Sequence, residues 1–185
     1  MKHTPLLAAA LALPLVSLSP VGATTIADPG FEAAGPTTDG VPAGGEVGTY
    51  EGFSGSAGGP APGVPTFSTS NPLSGAQSLE ILFSGENDAF AGVFQDVPGV
   101  IPGEDYTFSG FAAASPGGAA FGVTAEFRIE WLDVSDAVIF GTANTTPLFP
   151  TTDYVPFSLT HTAPGGATGA RVVMVGQTFG GEPDG

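Results

Sequence analysis

The sequence predicts an all-β fold, an antiparallel β-sandwich of the jelly-roll type, and three observations lead there. Val123, Ala125, Phe127, Ile129 and Trp131 alternate with Thr124, Glu126, Arg128 and Glu130, the period of a strand with one buried and one wet face. Short runs rich in β-branched and aromatic residues, at 78–83, 89–97, 106–112, 138–143, 155–161 and 170–175, are set apart by turns such as Pro102-Gly103 and Pro164-Gly165-Gly166. Nothing between these runs has helical periodicity, and no repeat of fixed period is present.

From the N-terminus, residues 1–23 have the form of a secretory leader. Lys2 and His3 precede an apolar run from Leu6 to Val16, and Val21-Gly22-Ala23 offers small residues for cleavage. The remainder, 24–185, has the length of one domain with a sizeable core. Asp28-Pro29-Gly30-Phe31-Glu32 combines a tight Pro-Gly bend, an apolar anchor and a carboxylate. Residues 35–65 are crowded with Gly, Pro, Ala, Ser and Thr, which predicts a long loop holding one short strand near 47–53. Gly180-Gly181-Glu182-Pro183-Asp184-Gly185 is turn-like directly after a strand, so a closing C-terminal strand is expected beyond it or from another element.

Charge narrows the partners. Without the leader two basic residues, Arg128 and Arg171, stand against 18 acidic ones, a formal charge of −16. Such a field repels phosphate backbones and excludes nucleic acid, while neutral ligands and divalent cations suit it. No stretch after the leader is apolar for the length of a membrane span. With Cys 0, a disulfide scaffold and thiol chemistry are excluded.

Catalytic inventory is thin. After the leader His161 is the sole histidine and no lysine remains, which removes Schiff-base chemistry and zinc sites built on several His or Cys. No nucleophile elbow accompanies His161. Glu126 and Glu130 share one strand face with Arg128 between them, but four residues on a strand separate them by about 13 Å, too far for a glycosidase pair. They are expected to be solvated and weakly paired to Arg128. Glu86-Asn87-Asp88, Glu104-Asp105, Asp133-x-x-Asp136 and Glu182-x-Asp184 are loop carboxylates of the kind calcium uses, though turn formation is the commoner role. Trp131 is in phase with Phe127 and Ile129, so it is expected in the core. Tyr50, Phe53, Phe149 and Tyr154, nearer to loops, are the candidates for stacking on a sugar ring. Asn144-Thr145-Thr146 has the form of a glycosylation sequon.

Several segments in order carry a resemblance: Asp28-Pro29-Gly30-Phe31-Glu32, Ser74-Gly75-Ala76-Gln77-Ser78-Leu79, Val93-Phe94-Gln95-Asp96-Val97, Ile101-Pro102-Gly103 leading to Tyr106-Thr107-Phe108-Ser109-Gly110-Phe111, Glu130-Trp131-Leu132-Asp133, and Phe157-Ser158 leading to Ala170-Arg171-Val172. Together they resemble the galactose-binding-like jelly rolls, which include the carbohydrate-binding modules of polysaccharide-degrading enzymes. The resemblance implies a β-sandwich without catalytic activity, often carrying a structural calcium. Carried over by position, Glu32 supplies a side-chain ligand, Gly30 a backbone oxygen, and the stretch up to Gln77 another. The expected function is a secreted module that binds, or is embedded in, extracellular polysaccharide through Tyr50, Phe53, Tyr154, Arg128 and Glu126. The alternatives are a structural or adhesive surface module contacting proteins, and a small glycosidase or lyase.

Overall fold

The computed structural model describes residues 26–32, 46–47, 49–56, 65–81, 89–114, 124–139, 143–144 and 152–178. The expected secretory leader, most of the expected 35–65 loop, Phe149, the acidic segments at 86–88 and 182–184, and the expected C-terminal closure lie outside these residues.

Ten strands make up the described fold: β1 (Glu46–Val47), β2 (Tyr50–Ser56), β3 (Thr66–Ser68), β4 (Ser78–Glu80), β5 (Ala89–Pro98), β6 (Asp105–Ala112), β7 (Thr124–Leu132), β8 (Ala143–Asn144), β9 (Val155–Thr162) and β10 (Gly169–Gln177). No helix occurs among the described residues. One six-stranded sheet runs in the order β1-β2-β5-β10-β7-β8, and the pairs β3-β4 and β6-β9 form two smaller sheets. Every pairing is antiparallel. The molecule is an antiparallel β-sandwich, as the turn-punctuated alternation predicts. The short strand expected near 47–53 is β1 and β2, the latter fully part of the large sheet. β3, a three-residue strand, has no counterpart among the expected runs.

Register explains which side chains go inside. On β7 the apolar set Phe127, Ile129 and Trp131 is buried, and its cross-strand partners on β10 are Met174, Val172 and Ala170. β10 in turn aligns Met174, Val172 and Ala170 with Val93, Gln95 and Val97 of β5. The same parity therefore points inward on all three central strands. From the opposite layer Phe108 of β6 and Phe157 and Leu159 of β9 complete a cluster around Trp131. Phe127 stacks on Phe157 with centroids 3.5 Å apart, and Tyr106 meets Trp131 edge-on at 5.7 Å. A second, smaller cluster joins Tyr50, Phe67 and Val93 with Phe31 and Leu79; Ile26 and Met174 touch both.

Strand ends are fixed by turn chemistry. After β7, Asp133 Oδ1 accepts from Ser135 N (2.8 Å), Ser135 Oγ (2.7 Å) and Ala137 N (3.1 Å). These bonds to the charged form hold its carboxyl below the usual range, the Ser135 hydroxyl contributing most. Asp133 thus forms a turn, the commoner of the two roles its type predicts.

Candidate functional site

Two corners collect the polar and aromatic residues named from the sequence: the N-terminal turn, and the face of the six-stranded sheet that points away from the sandwich interior.

At the first, Phe31 N donates to the Asp28 carbonyl at 3.1 Å, closing a turn over Pro29-Gly30. Asp28 Oδ1 accepts from Glu32 N at 2.7 Å. Glu32 Oε1 then accepts from Ala76 N (2.8 Å) and Gln77 N (3.0 Å), while Gln77 Nε2 donates to the Phe31 carbonyl (2.9 Å). Gly75, at φ +68, lies so close that a Cβ there would stand 2.2 Å from Glu32 Oε1, so only glycine admits this contact. The segment is thereby clipped to the start of β4 although it makes no strand ladder of its own. Buried Gln95 fastens it to β5 as well, accepting from Ala27 N at 2.7 Å and donating to Ala27 O at 3.0 Å.

Tyr50 belongs to this corner. It is 1% exposed, packs on Phe31 and Phe67 with centroids 5.2 and 5.9 Å away, and donates its hydroxyl to the Asp28 carbonyl at 3.0 Å. Burial, with the Asp28 charge adding to it, raises its pKa well above the usual tyrosine value. Tyr50 is therefore a core residue, which corrects the expectation that it stacks on a ligand; its parity in β2 turns it inward.

The oxygens at this corner decide whether a calcium ion suits it. Calcium takes hard oxygen ligands. Glu32 presents a carboxylate already oriented by two amides, and Gln77 Oε1 is buried without a hydrogen-bond partner. An acceptor left so costs about 1–3 kcal/mol. Gly30 adjoins, 3.4 Å from Glu32 Cγ when a Cβ is built on it. The corner thus offers one carboxylate and one unpartnered amide oxygen, and no group of three or more His, Cys, Asp or Glu side chains is placed to hold a metal ion among the described residues.

The second corner is the outer sheet face, where strand parity lays side chains out in rows. Phe53, Gly92, Val175 and Glu126 form one row across β2, β5, β10 and β7; Glu51, Phe94, Val173 and Arg128 form the next; Asp96, Arg171 and Glu130 the third. The aromatic half has centroids of Phe53 6.2 Å from Phe90 and 6.3 Å from Phe94. Glycines let the rings lie against the sheet: a Cβ on Gly92 would stand 2.8 Å from Phe53 Cζ, and one on Gly55 2.5 Å from Phe90 Cζ. Arg171 covers the Phe94 ring at 4.0 Å and grips Asp96 through Nε (2.7 Å) and Nη2 (2.8 Å). The Asp96 bond is the chief reason its pKa is raised.

In the other half, Arg128 Nε pairs with Glu126 and its Nη1 lies 3.7 Å from Glu130. Gln177 Nε2 donates to Glu126 Oε2 at 3.0 Å. The Glu126 and Glu130 side chains are only 14% and 17% exposed. The expectation of a solvated strand face is thus revised: both carboxylates converge on one guanidinium in a sheltered network. The reason is lateral, since on β10 Val175 and Gln177 lie beside Glu126 and Arg171 beside Glu130, and neighbouring strands are invisible in a local spacing argument.

Phe53, Glu126 and Arg128 accordingly share one face, with Phe53 and Glu126 three strand spacings, about 14 Å, apart. Tyr154 stands elsewhere, half-buried before β9 and donating to the Asn71 carbonyl. Phe90, Phe94, Asp96, Arg171 and Gln177 were missed. For Phe90, Phe94 and Asp96 the signal is the second parity of β5, where Phe90, Gly92, Phe94 and Asp96 alternate with Ala89, Ala91, Val93 and Gln95, and apolar residues in both sets leave the phase ambiguous; Arg171 and Gln177 lie on β10, whose two parities are likewise both buried. His161 is exposed on β9, and the sequon residues 145–146 lie outside the described residues.

No family model and no curated protein sequence matches the chain. Among solved structures it is similar to the enzymatically active domain of tailspike protein 4 from bacteriophage CBA120, with 16% identity and a TM-score of 0.54 over 72% of this chain and 18% of that one. It is also similar to the C-terminal family 22 carbohydrate binding module of Clostridium thermocellum Xyn10B (16% identity, TM-score 0.42, 72% of this chain and 80% of that one). A CBM4 structure aligns at 16% identity and a TM-score of 0.41, over 85% of this chain and 91% of that one. The chain thus spans less than a fifth of the tailspike chain. With ten strands among the described residues, every pairing antiparallel, and this likeness of fold, the chain is an antiparallel β-sandwich.

Proposed function

We propose that the protein is a secreted, non-catalytic carbohydrate-binding module and that the outer face of its six-stranded sheet holds the glycan. One observation carries this reading: both arginines of the chain lie on that face, each paired with carboxylate, beside three phenylalanines of which Phe53 and Phe90 lie over glycine. Aromatic faces pack against the apolar faces of sugar rings, and paired carboxylate, guanidinium and amide groups offer donors and acceptors in fixed directions to sugar hydroxyls. Pairing also ties up the guanidinium charge, which suits a neutral polysaccharide better than an anionic one. Affinity electrophoresis against a panel of soluble neutral polysaccharides tests the reading. Retardation by at least one of them, lost in Phe53→Ala and in Arg171→Ala while melting stays cooperative, is the expected result. No retardation across the panel overturns it.

We further propose that a structural calcium ion binds at Glu32, Gly30 and Gln77, supplying charge to the corner where Gln77 Oε1 lacks a partner. Calcium is expected to raise the melting temperature of the native chain and much less that of Glu32→Ala. Equal responses dispose of this site.

A further inference from the structure

Asp28-Pro29 is the single Asp-Pro pair of the sequence, and the N-terminal corner holds the bond between them in an uncommon setting. Asp28 lies at φ 50°, in the left-handed region where a β-carbon crowds the backbone, although a residue before proline favours extended geometry. Two donors meet its carbonyl oxygen: Phe31 N at 3.1 Å and the hydroxyl of buried Tyr50 at 3.0 Å. Its carboxylate accepts from Glu32 N at 2.7 Å. The backbone is pinned on both sides, Ala27 by two bonds to Gln95, and Phe31 and Glu32 by bonds to Gln77 and Ala76.

We infer that this corner is a self-processing site, at which the chain hydrolyses its own Asp28-Pro29 bond. A carboxylate oxygen of Asp28 adds to the carbonyl carbon of the same residue and closes a five-membered ring, an attack favoured by its being intramolecular. As that C–O bond forms, the C–N bond to Pro29 breaks, and the proline nitrogen takes a proton from water to become a new N-terminus. The hydroxide left behind opens the cyclic anhydride, so one water is consumed and Asp28 ends the preceding piece with a free carboxylate. Phe31 N and the Tyr50 hydroxyl stand where the carbonyl oxygen gains negative charge, as paired donors do in acyl transfer. Proline matters as well: its nitrogen carries no hydrogen, so the competing attack of the next backbone nitrogen on the Asp28 side chain is closed. Scission releases the left-handed backbone of Asp28, which gives the strain a use. What precedes Pro29 is then held to the sandwich by the Gln95 bonds to Ala27 and the packing of Ile26, contacts that can dissociate.

Intact-mass spectrometry of the full chain, incubated folded at neutral pH with protease inhibitors, tests this. A product beginning at Pro29 is expected to accumulate with a first-order rate independent of protein concentration. In denaturant the rate should fall by at least about tenfold, because the backbone geometry and both donors are lost. Asp28→Ser keeps an acceptor for Glu32 N but removes the carboxylate, and should abolish the product. Tyr50→Phe removes one donor from the carbonyl oxygen and should slow the reaction by about tenfold. Should Asp28→Ser not fold, the denaturant comparison and Tyr50→Phe decide. No Pro29 product from the folded chain, equal rates with and without denaturant, or an unchanged rate in Tyr50→Phe overturns the site.

Discussion

The two packing clusters of the sandwich are held in different ways. Around Trp131 the chain is regular: β5, β10 and β7 lie in long antiparallel register, β6-β9 covers them, and burial alternates along β7, while β10 is buried on both faces, with Val172 on one and Val173 and Val175 on the other. Around Tyr50 it is not. There Phe31 comes from a turn, Phe67 from a three-residue strand, and the pieces are fastened by side chains bonding to distant backbone, from Gln95 to Ala27, from Tyr50 to Asp28 and from Glu32 to residues 76 and 77. A ladder distributes its support over many equivalent bonds; a clip concentrates it in a few. The first cluster should therefore fail through lost volume and the second through lost hydrogen bonds.

The largest effect is expected from Trp131→Ala. Removing a 1% exposed indole should cost about 3–5 kcal/mol, read as a lowered denaturant midpoint with unchanged slope. A loss under about 1 kcal/mol would place the dominant core elsewhere.

Next comes Gln95→Leu, which keeps approximate volume and removes both bonds to Ala27. Ala27 is exposed, so its amide and carbonyl can turn to water and the cost is the net value of the two hydrogen bonds lost, about 1–3 kcal/mol. Hydrogen exchange sharpens the comparison: Ala27 and the Tyr50 corner should lose protection while β7 and β10 keep theirs. Uniform loss would mean that the clusters open as one unit.

Glu32→Gln is milder. The neutral amide oxygen still accepts from residues 76 and 77 but without charge assistance, a loss of about 1 kcal/mol, seen in thermal melts without added calcium.

The smallest effect at neutral pH concerns Tyr50, whose folded pKa is raised above its unfolded value. Its contribution is fully present below the unfolded value of about 10 and declines as pH rises toward the folded one. Native protein should lose stability progressively above about pH 10. Tyr50→Phe, having lost one hydrogen bond of about 1 kcal/mol, should show a shallower alkaline decline. Parallel curves would assign the alkaline loss to another group.

The regular half was the more legible. Alternation over 123–131 announced β7, its buried face and the interior place of Trp131, because a two-residue period is a local property. The turn at Asp28-Pro29-Gly30-Phe31 and the anchoring of Phe31 were readable for the same reason: Pro and Gly restrict local backbone, and the ring follows directly. Most of the sheet-face site was not readable. Phe90 and Phe94 were hidden because both parities of β5 carry apolar residues, and Tyr50 was misplaced because proximity to a loop in sequence does not determine which way a strand residue faces.

By itself, then, the sequence determined the all-β class, the acidic and cysteine-free chemistry, the strand around Trp131 and the Pro-Gly turn that leads to Glu32, all consequences of composition or of neighbours a few residues apart. Only the tertiary structure decided that Tyr50 belongs to the core, that Glu126 and Glu130 converge on Arg128, and that Arg171 of β10 caps Phe94 of β5. Each of these depends on which strands lie side by side and in what register. Register is set by the packing of whole faces against one another, which no single strand encodes.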